Sequence, residues 1–276
     1  MGAVRLPWIL DKDIKVRTQR DMVNRNTYSY REGEIIDVEE YHDGRYGAKG
    51  KKRKDKAKPT EEQMRKINAI NKAKRCRQRL LIYFNPGDCF ATWTYEEEKR
   101  PPNMATALKH FQKAMRIVRK EYAKRSREVF WIRNIERGTK GAWHIHLVIK
   151  EIGDTASILK RAWTHGGIYV TEIRLNKKIY DEDFYKLSNY MTKDEYTTET
   201  KKDGTQSKPR LKEANYNTSR NMPLPKPEVD KLHRWKKYPK PKKGYHIVRI
   251  HEGVNPKTGY IYRRYTMIRI RGETVA

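Results

Sequence analysis

The sequence predicts an α+β protein: a central antiparallel sheet of about five strands with flanking helices, a basic N-terminal extension and a C-terminal β-hairpin. Three observations lead there. Strand-like and helix-like runs follow one another as strand, helix, strand, strand, helix, strand, helix, which is not the regular alternation of a doubly wound fold. Two of the strands are separated only by Arg137-Gly-Thr-Lys-Gly141, a short glycine-bearing link that reads as an antiparallel hairpin. Both ends of the 276-residue chain are polar and basic, with 63 Lys and Arg against 34 Asp and Glu and a formal net charge of +29.

Residues 1 to about 60 are polar and increasingly basic, ending in Gly50-Lys-Lys-Arg-Lys-Asp-Lys-Ala-Lys-Pro59. Such a run has too little apolar surface to fold alone and is expected to be an arm, with Lys51, Lys52, Arg53 and Lys54 suited either to phosphates or simply to water. Thr60 followed by Glu61, Glu62 and Gln63 has the form of a helix N-cap, and the helix is expected to run to about residue 79. Cys89-Phe-Ala-Thr-Trp-Thr-Tyr95 has the β-branched and aromatic make-up of a strand. From 104 to 124, Leu108, Phe111, Met115, Val118 and Tyr122 recur at steps of three and four, the stripe of an amphipathic helix packed on a core. Its other face carries Lys109, Lys113, Arg116, Arg119 and Lys120. A strand at 128–136, the hairpin link and a strand at 141–150 come next. Short elements follow: a helix at 155–163, a strand at 167–173 and a helix at 181–193. Residues 197 to 243 turn Lys-, Thr- and Pro-rich and read as linker. Tyr245-His-Ile-Val-Arg-Ile250 and the run 260–270 flank Asn255-Pro-Lys-Thr-Gly259 and form an accessory hairpin. The expected division is an extension with one helix at 1–79, a folded domain at 80–200, a linker at 201–243 and the hairpin at 244–276.

The charge excess exceeds what solubility needs and points to a polyanionic partner. A membrane surface is excluded as that partner, because no basic helix with a strong apolar face stands out. There is no apolar run of membrane-spanning length and no signal-peptide core after Met1, so a soluble intracellular protein is expected. Cys76 and Cys89 have no CxxC spacing and suggest neither a disulfide nor a zinc knuckle.

The strongest chemical signal is Gly141-Ala-Trp-His-Ile-His-Leu-Val-Ile-Lys150. Its period-two alternation sends Trp143, Ile145 and Leu147 to one face and His144 and His146 to the other, with stems roughly 6.5–7 Å apart. Two imidazoles at that spacing can converge on one ion. Glu136, across the hairpin, either joins them as a carboxylate ligand or pairs with Arg133 or Lys140. Tyr190 and Lys193 share a helix face, being three residues apart. With 18 tyrosines in the chain, a helical tyrosine is ordinarily a packing residue.

Three pieces in this order, Phe90-Ala-Thr-Trp-Thr-Tyr95, His144-Ile-His146 and Tyr190-Met-Thr-Lys193, resemble the three motifs of the HUH endonucleases. They are most similar to single-tyrosine rolling-circle replication initiators of phages, plasmids and integrative elements in Gram-positive bacteria. The resemblance covers about residues 80 to 225 and, more loosely, the segment from Tyr41 onward. It implies an HUH, ferredoxin-like sheet. It also implies a divalent ion, Mg²⁺ or Mn²⁺, on His144, His146 and Glu136, with Tyr190 as the nucleophile and Lys193 beside it. The implied activity is nicking of single-stranded origin DNA to leave a 5′-phosphotyrosine and a free 3′-hydroxyl, with later rejoining of strands. An origin hairpin is then the substrate and the cytoplasm of a bacterial host the setting. No GxxxxGK[ST] is present, so unwinding falls to a host helicase and synthesis to a host polymerase. Lys51, Lys52, Arg53, Lys54, Lys113, Arg116 and Lys120 become the expected DNA contacts. Two other readings stand beside it: a tyrosine transposase with the same site, and a non-catalytic basic nucleic-acid-binding protein.

Overall fold

The computed structural model describes residues 4–5, 23–42, 58–174, 183–201 and 203–270. In chain order the elements are β1 (Val4–Arg5), β2 (Val23–Tyr30), β3 (Ile35–Tyr41), α1 (Glu61–Tyr83), β4 (Cys89–Thr94), α2 (Met104–Lys124), β5 (Trp131–Gly138), β6 (Trp143–Ile149), α3 (Thr155–Ala162), β7 (Ile168–Glu172), α4 (Tyr185–Met191), β8 (Leu211–Thr218), β9 (Glu228–Leu232), β10 (Tyr245–Val254) and β11 (Ile261–Arg269). The chain divides into two compact units, residues 69–224 and residues 1–68 together with 225–276. The α+β class expected from the sequence is what the structure has.

The unit of residues 69–224 is built on a five-stranded sheet in the order β7-β4-β6-β5-β8, antiparallel throughout. Alternate residues go to opposite faces, and one face is apolar: Trp93, Trp131, Ile135, Trp143, Ile145 and Leu147 form a core with Phe111, Met115, Val118 and Tyr122 of α2 and Ile158 and Leu159 of α3. Burying each such side chain contributes about 1.5–3 kcal/mol. Asn103 starts α2 by accepting the Thr106 amide at 3.0 Å, and Tyr122 fixes its far end with a hydrogen bond to the Lys150 carbonyl. At the start of α1, Thr60 and Gln63 exchange the expected pair of capping hydrogen bonds, at 3.0 and 3.2 Å.

The other unit holds a six-stranded sheet in the order β1-β10-β11-β3-β2-β9. This corrects the reading of residues 1 to about 60 as an arm: 23–41 form a hairpin, β2 and β3, whose strands pair with β9 and β11. The hairpin was hidden because its turn carries three residues of positive φ, Arg31, Glu32 and Gly33, and because one of its inward positions is a carboxylate, Glu40, at 2 % exposure. The C-terminal hairpin forms as expected, but β11 lies inside the sheet rather than being accessory. The expected linker at 201–243 also contains strands. Both are sheet edges, β8 on the five-stranded sheet and β9 on the six-stranded one. Edge strands keep polar side chains and so lack the apolar alternation that marks a half-buried strand. Lys51, Lys52, Arg53 and Lys54 lie outside the described residues.

Candidate active site on the polar face of the sheet

Because Trp143, Ile145 and Leu147 fill the core, the intervening side chains of β6 are forced to the opposite face. There the register builds two cross-strand rows, Thr92–His146–Asn134 and Thr94–His144–Glu136. His146 and Glu136 are buried, at 5 % and 9 % exposure, while His144 is exposed.

Helix α4 brings Tyr190 to these rows. Its entry is held by a buried ion pair between Arg77 of α1 and Asp183 at 3.0 Å, and by Arg77 Nε donating to the Asp183 carbonyl at 2.7 Å. Phe184, the residue before the helix, has φ +56. A left-handed conformation costs a non-glycine residue roughly 1–2 kcal/mol, and the full burial of the Phe184 ring offsets it. The helix then sets the Tyr190 hydroxyl 3.2 Å from His146 Nε2. Phe90 lies edge-on to the tyrosine, with ring centroids 5.8 Å apart, and stacked beside His146 at 6.0 Å. Tyr196, by contrast, is 60 % exposed.

The polar contacts converge on the same point. Glu136 Oε1 accepts from Asn134 Nδ2 at 2.8 Å, and its Oε2 is 3.4 Å from His146 Nε2. Asn134 Nδ2 also donates to the Lys193 carbonyl at 3.0 Å, which joins the strand to the end of α4. The Lys193 ammonium sits 4.8 Å from the Tyr190 ring centroid and 3.4 Å from Glu199. Lys72 of α1 pairs with Asp194 at 2.7 Å. Glu136 therefore belongs with the histidines, and no ion pair with Arg133 or Lys140 is formed among the described residues. Partial loss of water around the His144 ring, whose residue is otherwise exposed, lowers its pKa, and the charge of His146 adds to that, against an opposing effect of Glu136.

The ligand set implied by the resemblance is gathered only in part. The His144 and His146 ring centroids are 6.1 Å apart with the planes nearly perpendicular, and among the described residues no group of three His, Cys, Asp or Glu side chains is arranged to hold a metal ion. The donor chemistry nevertheless suits a divalent cation. His146 Nδ1 is engaged by Thr92 Oγ1 at 3.1 Å, which leaves Nε2 facing the centre. Asn134 Oδ1, fully buried beside it, has no hydrogen-bond partner. Two imidazoles, a carboxylate and an amide oxygen form a mixed nitrogen and oxygen set.

Asn134 and Thr92 are the residues that sequence reasoning missed. Asn134 had a signal: it is the one amide in its strand, two residues from Glu136 and so on the same face. Lys113, Arg116 and Lys120 are exposed on α2, which packs on the apolar face, so they do not join the tyrosine. Thus the fold and site define a class: an α+β protein with a tyrosine, a histidine and a carboxylate converging on one sheet face. Residues 88–195, which span β4 through Lys193, match the family model of replication-associated protein ORF2/G2P, and this similarity supports a role as a replication initiator. No curated protein and no solved structure matches the chain. Among the described residues no helix is long and apolar enough to cross a membrane.

Proposed function

We propose that the protein is a replication initiator that nicks single-stranded origin DNA by transesterification, with Tyr190 as nucleophile. The observation that carries this reading is the 3.2 Å approach of the Tyr190 hydroxyl to His146 Nε2, at a point where Glu136 Oε2 is also within 3.4 Å of the same nitrogen. The tyrosine oxygen attacks the scissile phosphorus and the bond from phosphorus to the 3′ oxygen breaks. The phenolic proton leaves and the departing 3′ oxygen takes one up, giving a 5′-phosphotyrosine and a 3′-hydroxyl that primes synthesis. A free phenol, with a pKa of about 10, is a weak nucleophile at neutral pH. The Lys193 ammonium over its ring adds positive charge beside the phenol. Phe90 and His146 hold the ring in position, and Asn134 orients the carboxylate of Glu136.

His146, Glu136 and, after rotation of its ring, His144 are the residues that would hold Mg²⁺ or Mn²⁺, which when bound polarises the phosphate. Reversal of the same transfer rejoins strands. The reading makes an origin hairpin the substrate, with a host helicase and polymerase acting on the product in a bacterial cytoplasm. Incubation of the protein with labelled single-stranded origin DNA and Mn²⁺, with and without chelator, tests it on a denaturing gel. A chelator-sensitive covalent adduct is expected; an adduct that persists in Tyr190→Phe overturns the assignment. No adduct under any condition selects a non-catalytic DNA-binding protein instead.

A further inference from the structure

The core face of the same sheet carries a second polar feature that the tyrosine chemistry does not use. Along α2, beside β5 and β8, lies a cleft of about 760 Å³. Arg116 and Arg119 enter it from α2, Arg127 from the segment after the helix, Arg133 from β5 and Arg220 from the end of β8, and no Asp or Glu lines it. Arg133 is the telling residue. It is only 3 % exposed, its Nε has no hydrogen-bond partner, and its one bonded nitrogen is satisfied by Asn215 oxygens rather than by a carboxylate. Burial lowers its pKa to about 10. A buried guanidinium without a counter-charge costs several kcal/mol, and folds ordinarily pair such groups.

The neighbourhood shows that pairing was open to this chain. Arg125, two residues from Arg127, is neutralised by Glu121 and Asp154. None of the five cleft arginines forms an ion pair among the described residues, and Glu128 accepts from the amide of Asn221, a lining residue, at 2.8 Å. Planar guanidinium groups gathered in this way match the oxygens of a phosphate ester, to which they bind bidentately.

The geometry points to a phosphate-ester binding site in this cleft, on the face of the sheet opposite Tyr190, taking either a backbone phosphate of a nucleic-acid strand or the phosphate of a free nucleotide. The site rests on the cleft alone and stands whether or not Tyr190 is a nucleophile. The test is binding, measured in chelator so that cleavage does not enter. A fluorescent single-stranded oligonucleotide is titrated into wild type, into Arg116→Ala/Arg119→Ala/Arg220→Ala, and into the charge-matched control Lys109→Ala/Lys160→Ala/Lys212→Ala. If the strand occupies the cleft, the arginine triple binds about 10-fold more weakly at physiological salt. The slope of log affinity against log salt then falls by about 2, from roughly 0.7 for each phosphate contact on a single strand, and the control stays close to wild type. If a free nucleotide is the occupant, strand binding is equal in the two triples, while adenosine monophosphate binds wild type and the control but not the arginine triple. Arg133→Met, which removes the buried guanidinium from the cleft, weakens the same ligand. Equal behaviour of the two triples toward both ligands overturns the site, and so does unchanged ligand binding by Arg133→Met.

Discussion

Two buried glutamates, one in each unit, show how differently the chain treats a carboxylate. Glu40, on β3, is saturated: Oε1 accepts from Arg25 Nε and from the Tyr265 hydroxyl, and Oε2 accepts two hydrogen bonds from Arg263, which is itself only 1 % exposed. Glu136, on β5, has an amide on one oxygen and a histidine nitrogen 3.4 Å from the other, with no arginine or lysine paired to it among the described residues. Every lone pair of Glu40 is committed to the fold. The valences of Glu136 and of Asn134 Oδ1 remain available, and a group kept available at the cost of stability marks a site rather than a scaffold.

The largest effect that follows lies on the open side of this contrast. Tyr190→Phe keeps the ring against Phe90 and removes only the hydroxyl that faces His146. With Tyr190 as the proposed nucleophile, covalent adduct formation, read on a denaturing gel, is expected to fall by about 10³-fold or more. The denaturation midpoint should stay close to wild type, since a single half-buried hydrogen bond contributes only about 0.5–1.5 kcal/mol.

Stability should separate the two glutamates in the opposite sense. Glu40→Leu takes from the buried Arg263 guanidinium its nearest carboxylate and leaves only Glu252 at 3.6 Å, and it is expected to cost about 3 kcal/mol by chemical denaturation. Glu136→Leu strands no cation, and its expected cost is about 1 kcal/mol or less, with loss of adduct. A large destabilisation by Glu136→Leu would make the two clusters equivalent and remove the distinction.

Alkali probes the unit that holds Glu40 further. Burial, reinforced by Glu39 for Tyr28 and by Glu40 for Tyr265, pushes both phenols up to about 12. The folded chain therefore retains two protons that the unfolded chain, with phenols near 10, begins to release above that pH. Stability from these groups is complete below pH 10 and is lost as pH rises toward 12, by up to about 1.4 kcal/mol per pH unit for each tyrosine. Denaturant midpoints measured between pH 9 and 12 check the sign, and Tyr28→Phe/Tyr265→Phe should flatten the decline.

The same contrast explains what was legible in the sequence. Elements with a strong period were readable: the stripe of α2 and the alternation of β6 gave a helix with matching bounds and the right faces for His144 and His146. Cross-strand register was not, because it depends on which residues of two strands meet. Tyr190 could be singled out among 18 tyrosines only through the spacing of three motifs, and its approach to His146 is a tertiary fact. The β2–β3 hairpin was missed since its buried Glu40 resembles a solvated residue until Arg25 and Arg263 are seen around it. Arg133 was read as a possible partner of Glu136, but a strand places neighbours of odd separation on opposite faces, and the two never meet.

Asn134 gives the finest test, since its amide nitrogen acts on the site through two other residues. Its amide nitrogen bridges Glu136 Oε1 and the Lys193 carbonyl, so one side chain fixes the carboxylate and anchors the end of the helix bearing Tyr190. Asn134→Ala removes both hydrogen bonds from a buried position, and about 1–2 kcal/mol of stability is expected to go with them. If the residue only supports the fold, a variant that recovers stability should recover activity too. If it positions Glu136, Asn134→Leu, which refills the volume without restoring the donor, should regain part of the midpoint yet still form adduct about 10-fold more slowly than wild type. Asn134→Asp would set a second carboxylate against Glu136, and its adduct rate should then rise more steeply with Mn²⁺ concentration than that of Asn134→Leu. Equal Mn²⁺ dependence in the two variants would confine Asn134 to the role of a helix anchor.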